Sequence, residues 1–238
     1  MPRTARRCPG GLVYHVMNRG NDRKPIFHKR GDARAFVSLL AEAKRRVPMR
    51  ILAWCLMNNH WHLVLWPTGD DDVSSFMAWL SNAHVRRYRQ HYQNNGEGHL
   101  YQGRFKSFPV KQEHADVLKV IRYVEANPLR AGLITRAEAW QWSSLHDWHQ
   151  GESGLVDEWP VERPQDWLEI VNTAMPEPEL TTLRTSVTRG RPFGPPEWAQ
   201  STAQSMGLAS TLRDRGRPRK GDIQLIPPND SDSQNRSP

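Results

Sequence analysis

Cysteine is nearly absent from this chain of 238 residues: Cys8 and Cys55 are the two that occur. Two are too few for a disulfide framework, and there is no paired CxxC spacing of a structural zinc site, so a reducing cytoplasm is the expected compartment. No uninterrupted apolar run approaches the ~18 residues that a membrane span requires. The basic stretch Met1 to Pro9 is not followed by a signal-peptide apolar core, and the sequence therefore predicts a protein outside the membrane. A Gly-rich loop with a phosphate-cradling Lys is missing too, which argues against an initiator that carries its own helicase. Acidic residues are the minority, 25 against 33 Lys and Arg, for a formal charge of +8 and a pI near 9.9. That balance suits a polyanionic partner without distinguishing DNA, RNA or an anionic membrane. The length allows one globular domain of ordinary size and a smaller appendage.

Hydrophobic patterning supplies the organisation. Leu12 to Met17 is a β-rich run that enters a turn at Asn18-Arg-Gly-Asn. Asp32 stands where an N-cap belongs, before a helix over Ala33 to Arg46 with Phe36, Leu39, Leu40 and Ala43 at helical spacing. Ile51 to Met57 and His60 to Trp66 form a hairpin around Asn58-Asn59, residues that tolerate the left-handed conformation of tight turns. Val73 to Tyr92 predicts a long helix, Arg104 to Val110 a weaker strand, and His114 to Ala126 a helix ended by Asn127-Pro128. The order β-α-β-β-α-β-α predicts an α+β fold of ferredoxin-like type, an antiparallel sheet with helices on one face. The expected catalytic domain covers residues 1–150.

Beyond residue 150 the texture changes, since 11 of the 18 prolines lie there. We expect a Pro-containing linker at 151–178, a small basic helical extension acting as a DNA-binding arm at 179–220, and a disordered tail at 221–238. Short helices are expected over residues 164–173, 178–188 and 195–206, each introduced by proline.

Chemistry concentrates in two places. His60 and His62 lie two apart on a predicted strand, so both imidazoles point to one face, the geometry of a metal-ligand pair. The alternatives are histidines merely solvated at a hairpin mouth, or a zinc site completed by Cys8 and Cys55. On the helix from His114, Val117, Val120, Ile121 and Val124 make an apolar face, while Asp116, Lys119, Tyr123 and Asn127 form a polar stripe. A tyrosine can attack a phosphodiester and store the bond energy as phosphotyrosine, but its ordinary pKa near 10 makes it a poor nucleophile unaided. A hard divalent ion on two histidines and the Asn127 amide oxygen would polarise the phosphate. Asn127 can equally be a plain helix terminus, and Lys119 either assists Tyr123 or phosphate, or is solvated.

Leu12-Val-Tyr-His-Val-Met-Asn-Arg-Gly-Asn, Met57-Asn-Asn-His-Trp-His-Leu-Val-Leu, Gln102-Gly-Arg-Phe-Lys-Ser and Tyr123-Val-Glu-Ala-Asn-Pro-Leu-Arg-Ala-Gly-Leu occur in this order. Together they resemble the REP-associated tyrosine transposases of the HUH superfamily of single-strand DNA nucleases and transposases. The resemblance implies a ferredoxin-like catalytic domain, a magnesium or manganese ion, and cleavage next to hairpins of repeated extragenic palindromes that leaves a 5′-phosphotyrosine. It assigns His60, His62 and Asn127 to the metal and Tyr123 to nucleophilic attack, and it favours a monomer, with a dimer that swaps the tyrosine helix as the alternative. Asn58 departs from the proline expected before the Asn-His pair, a matter of turn shape.

Nucleic-acid contacts are expected from Tyr101, Arg104, Phe105, Lys106 and Phe108, which interleave aromatic and basic side chains as single-strand binders do. Arg19 after the first strand and Lys119 join this set. Arg-Gly-Arg-Pro occurs at 189–192 and 215–218, and Arg189, Arg191, Arg215 and Arg217 fit minor-groove insertion; the second copy can also be a solubilising basic tail. The rival to an enzyme is a DNA-binding or repressor protein on the same fold that does not cut.

Overall fold

The computed structural model describes residues 7–93, 98–152 and 154–213. Four strands, β1 (Val13–Arg19), β2 (Met49–Met57), β3 (His60–Pro67) and β4 (Lys106–Val110), form one antiparallel sheet in the order β2-β3-β1-β4. Helix α1 (Arg30–Arg46) links β1 to β2, and α2 (Asp72–Tyr92) links β3 to β4. This is the split βαββαβ arrangement, so the predicted α+β ferredoxin-like class holds. Five further helices follow: α3 (His114–Glu125), α4 (Asn127–Arg130), α5 (Ser144–His149), α6 (Trp167–Asn172) and α7 (Glu177–Arg189), with α8 (Pro196–Ser205) after them. Among the described residues no helix is long and apolar enough to cross a membrane.

The expectation of helices on one face is corrected: both faces are covered. Alternation sends Tyr14 and Val16 of β1 and Trp61, Leu63 and Leu65 of β3 into a core with α1 and α2. Their neighbours Val13 and Val64 join Val117, Val120, Ile121 and Val124 of α3 in a second core. The signal lay in β2, whose residues are buried except Arg50, a near-continuous apolar run of the kind that needs cover on both sides.

Several boundaries shift with physical cause. Helix α1 starts two residues before Asp32, whose carboxylate accepts the backbone N–H groups of His28 (2.8 Å) and Lys29 (3.1 Å) from inside the first turn. Strand β1 continues through Arg19, which pairs with His60 in the β1–β3 register. Gly20 then permits a close turn, because a Cβ there would lie 2.2 Å from the Lys24 carbonyl oxygen. The Asn58-Asn59 hairpin is present, but neither residue takes a positive φ. Their backbone carbonyls are instead docking points: Asn58 accepts from Ile26 and Phe27, and Asn59 accepts from Gly20. Pro128 interrupts α3 without ending helical structure, which resumes for one turn as α4.

The stretch 151–178, expected as a linker, packs against the domain. Trp159 and Trp167 are buried, Trp159 Nε1 donates to the Leu52 carbonyl at 2.8 Å, and the Asp157 backbone N–H donates to that of Ile51 at 2.8 Å. Helix α7, within the expected arm, buries Leu180 and Leu183 in the second core, and Phe193 bridges to Val110 at the edge of β4. The expected tail at 221–238 lies outside the described residues.

One buried polar contact fixes α3. Glu125 is 2% exposed, with Oε1 accepting from Ser144 Oγ (2.7 Å) and Oε2 from Trp167 Nε1 (2.8 Å). Burial raises its pKa, against the pull of these two donors. Removing the carboxylate strands two buried donors, so Glu125→Ala should lower the unfolding free energy by about 2–4 kcal/mol. Glu125→Gln, which keeps one acceptor oxygen, should cost less. Urea denaturation midpoints measure this, and an unchanged midpoint for Glu125→Ala would remove Glu125 as the anchor.

Candidate active site

The sheet face beneath α3 carries the site. In the antiparallel registers Arg19 lies opposite His60, Met17 opposite His62, and His15 opposite both Val64 and Phe108. The period of two puts His60 and His62 on this face and Trp61 in the other core, as the sequence predicts. Their rings are 5.1 Å apart between centroids. Helix α3 brings Tyr123 over them, 8% exposed, with its ring 6.0 Å from that of His62 and 6.2 Å from that of His15. Of the polar stripe on this helix, Tyr123 and Asn127 are the residues that reach the histidines, and Tyr123 is buried there. Asn127, at the start of α4, extends its amide toward His60.

Both histidines are held at Nδ1. Asn59 Oδ1 lies 2.6 Å from His60 Nδ1, and Asn59 Nδ2 donates to the Arg23 carbonyl at 2.9 Å, fastening the hairpin to the segment after β1. His15 Nε2 lies 2.8 Å from His62 Nδ1, inside a layer where His15 also stacks on Phe108 at 4.8 Å. An imidazole engaged at Nδ1 presents Nε2 as its remaining coordinating atom, the usual way a neighbouring group orients a metal-binding histidine. Burial lowers the pKa of His60 to about 4 and that of His15 to about 3. It lowers His62 as well, helped by His15, His60, Arg130 and Arg19. At neutral pH all three are uncharged, as ligation requires. The donor set of His60, His62 and Asn127 thus fits a divalent ion. A zinc site with both cysteines does not form, because Cys8 belongs to the α1–α2 core and Cys55, opposite His62, to the other.

Two groups at the site were missed by sequence reasoning. In sequence His15 is one residue of a β-rich run, although its spacing from Arg19 places it on the Arg19 face. Arg130 stands in sequence as one basic residue after Asn127-Pro128, and its guanidinium carbon lies 4.1 Å from the centre of the Tyr123 ring. Lys119, by contrast, pairs with Glu179 of α7 at 3.7 Å.

Arg19, Arg104, Phe105 and Lys106 line one cavity of about 520 Å³ beside Met17 and Asn18. A second cavity, of about 240 Å³, shares Lys106 and Thr188 with it and adds Arg7 and Arg189. The two adjoin at Lys106 and Thr188 and make a basic groove beside β4, which Arg19, the cross-strand partner of His60, connects to the histidine pair. Tyr101 and Phe108 do not line it: both are buried, Tyr101 against Trp61 and His84 and Phe108 against His15. Their expected role in stacking bases is corrected on that ground. Arg191 is half-buried just after Gly190, and Arg215 and Arg217 lie outside the described residues.

The chain is similar to known transposases. Residues 10–127 match the family model described as "Transposase IS200 like". A protein of Haemophilus influenzae strain Rd, named as a REP-associated tyrosine transposase, is 25% identical over 122 residues, 47% of this chain and 67% of that protein. Two solved structures are similar. One is a REP-associated tyrosine transposase bound to a REP hairpin (22% identity, TM-score 0.48, covering 69% of this chain and 98% of that one). The other is a transposase-related protein of Deinococcus radiodurans R1 (20% identity, TM-score 0.38, covering 52% and 96%).

The buried histidines make stability pH-dependent. Their folded pKa values lie below the unfolded value near 6.5, so the unfolded chain binds more protons as pH falls. Stability should be complete above pH 6.5 and decline as pH falls from there toward 4, by up to about 1.4 kcal/mol per pH unit for each fully buried histidine. His84, lowered by burial to about 4 in the other core, adds to this. Calorimetric melting at pH 7.5, 6, 5 and 4.5 tests it, and a melting temperature constant over that range would contradict the buried neutral state.

Proposed function

Residues 10–127 make this chain a member of the IS200-like transposase family, and on that premise we propose that it cleaves and rejoins single-stranded DNA beside a hairpin through a 5′-phosphotyrosine on Tyr123. The observation that carries this reading is the convergence within one chain of Tyr123, the oriented pair His60 and His62, and Asn127. Because the tyrosine helix serves the histidines of its own chain, a monomer suffices for the chemistry.

His60, His62 and Asn127 would hold magnesium or manganese, which when bound supplies Lewis-acid polarisation of the scissile phosphate. The remaining work belongs to the chain. Packing of Tyr123 against His15 and His62 limits the directions its hydroxyl can take, the positioning on which an in-line displacement depends. The Tyr123 oxygen attacks phosphorus, the bond to the 3′ oxygen breaks, and the phenolic proton passes to solvent while the leaving oxygen takes one up. Reversal by a 3′ hydroxyl of the same or another strand rejoins the DNA with no input of bond energy.

The groove from Arg19 through Arg104 and Lys106 to Arg189 matches an extended single strand in charge, and half-buried Phe105 offers a ring for stacking. Arg189 and Arg191, with Arg215 and Arg217 beyond, suit the phosphates of an adjacent duplex stem. A palindromic hairpin as substrate is what the resemblance to the REP-associated tyrosine transposases implies, the group after which the Haemophilus influenzae relative is named. We place the activity in the cytoplasm, where such DNA resides.

Incubation with a labelled hairpin carrying single-stranded flanks, followed by denaturing electrophoresis, tests the proposal. With magnesium or manganese a covalent adduct on the downstream 5′ end is expected. It should disappear with chelator and in Tyr123→Phe, whose hairpin affinity should stay the same. An adduct persisting in Tyr123→Phe would reject the nucleophile. Tight binding with no adduct under any metal would make the protein a non-cleaving DNA-binding factor.

A further inference from the structure

Tyr123, Asn127 and Arg130 follow one another at i, i+4 and i+7 across the α3–α4 junction, so one helical stripe carries all three toward the histidine face. Arg130 is largely withdrawn from water, and its guanidinium packs over the Tyr123 ring with Nη1 buried and without a hydrogen-bond partner. Among the described residues no carboxylate pairs with it. Burial is the largest influence on it, Tyr123, Cys55 and Arg184 are its charge neighbours, and the Tyr123 hydroxyl accepts a hydrogen bond from the guanidinium, which leaves Nη1 as the unpartnered nitrogen. Burial pushes the Cys55 thiol up, which keeps it neutral.

A desolvated, uncompensated cation is costly in a folded protein and persists where an anion arrives to pair with it. Arg19 repeats the pattern: it lies opposite His60 in the sheet, and its Nε is likewise buried without a partner. Two guanidiniums therefore flank a face whose other polar groups, His15, His60, His62 and Asn127, carry no negative charge.

We infer that Arg130 is a catalytic residue that binds a non-bridging oxygen of the scissile phosphate through its free Nη1 while holding the Tyr123 ring for attack. The inference rests on the proposed cleavage and adds to it the residue that meets the charge developing on phosphorus. As Tyr123 oxygen bonds to phosphorus and the 3′ oxygen departs, negative charge accumulates on the non-bridging oxygens. A guanidinium fixed against the nucleophile is then worth more in the transition state than in the ground state. The ring contact gives the same side chain a second effect, since a cation held over an aromatic face restricts the tilt of that face.

The test compares wild type, Arg130→Ala and Arg130→Lys on two substrates, a normal hairpin oligonucleotide and one whose scissile phosphate is a methylphosphonate, which lacks the charged oxygen. Wild-type adduct on the normal substrate is the control for the cleavage reading; its absence would reject that reading, and this inference with it. Given that adduct, Arg130→Ala should form it about 100-fold more slowly, the loss usual for one transition-state donor. Hairpin affinity and manganese affinity, measured by calorimetry, should not change. On the methylphosphonate the difference between Arg130→Ala and wild type should all but vanish, because the charge that Arg130 meets is gone. Added guanidinium ion should partly restore Arg130→Ala on the normal substrate. Equal deficits on both substrates would overturn the inference in favour of a packing role, and a wild-type rate in Arg130→Ala would overturn it outright. If Arg130→Ala melts below the assay temperature, Arg130→Lys, which keeps charge but not the fork, carries the same comparison.

Discussion

The carboxylate of Glu125 accepts Ser144 Oγ at 2.7 Å and Trp167 Nε1 at 2.8 Å, and through these bonds α5 and α6 hold α3 against the sheet. Glu125 lies two residues from both Tyr123 and Asn127, so the rotation of α3 about its axis, and with it the aim of both side chains, depends on this one buried group. A carboxylate this enclosed is costly to leave unpaired, and that cost makes the anchor specific: other rotations of the helix would bury it without donors. Ser144 extends the lock to β2, since the Trp54 backbone N–H donates to Ser144 Oγ at 3.1 Å. The segment after residue 130 is accordingly part of what shapes the site.

The sheet supplies the opposite wall under a similar constraint. His15, His60 and His62 are neutral because charging them in this layer is unfavourable, and their mutual contacts and Asn59 use up Nδ1 of both predicted ligands. Around these neutral donors stand Arg19 and Arg130. The face is thus built of neutral ligands and unpaired cations, which favours an anionic partner in the site and, continued through Arg104, Lys106 and Arg189, along the groove.

Much of this was legible in the amino-acid order. The split βαββαβ pattern followed from periodicities of two and 3.6 together with turn residues, and a histidine pair on one strand face followed from its spacing alone. The limits were equally physical. Helices on one face was the wrong inference because the near-continuous apolar run of β2 is compatible with several packings, and deciding among them needs α3 in place. Prolines after residue 150 suggested a linker, yet Trp159 and Trp167 find acceptors and cover there that composition does not encode. Tyr101 and Phe108 had the composition of a base-stacking surface and proved to be core: Trp61 and His84 enclose Tyr101, and Phe108 lies on a sheet covered on both faces.

By itself, then, the sequence determined the elements and the candidate reactive side chains, because strand and helix periods fix which residues share a face and because so few residue types can attack or ligate. Tertiary structure alone decided which faces meet. That Tyr123 lies over His62, that His15 holds His62 from 47 residues away, and that Arg130 rather than Lys119 lies on the tyrosine are outcomes of how α3 docks on the sheet. Docking is set by long-range complementarity of two buried surfaces, with Glu125 as the polar key, and no local pattern records it.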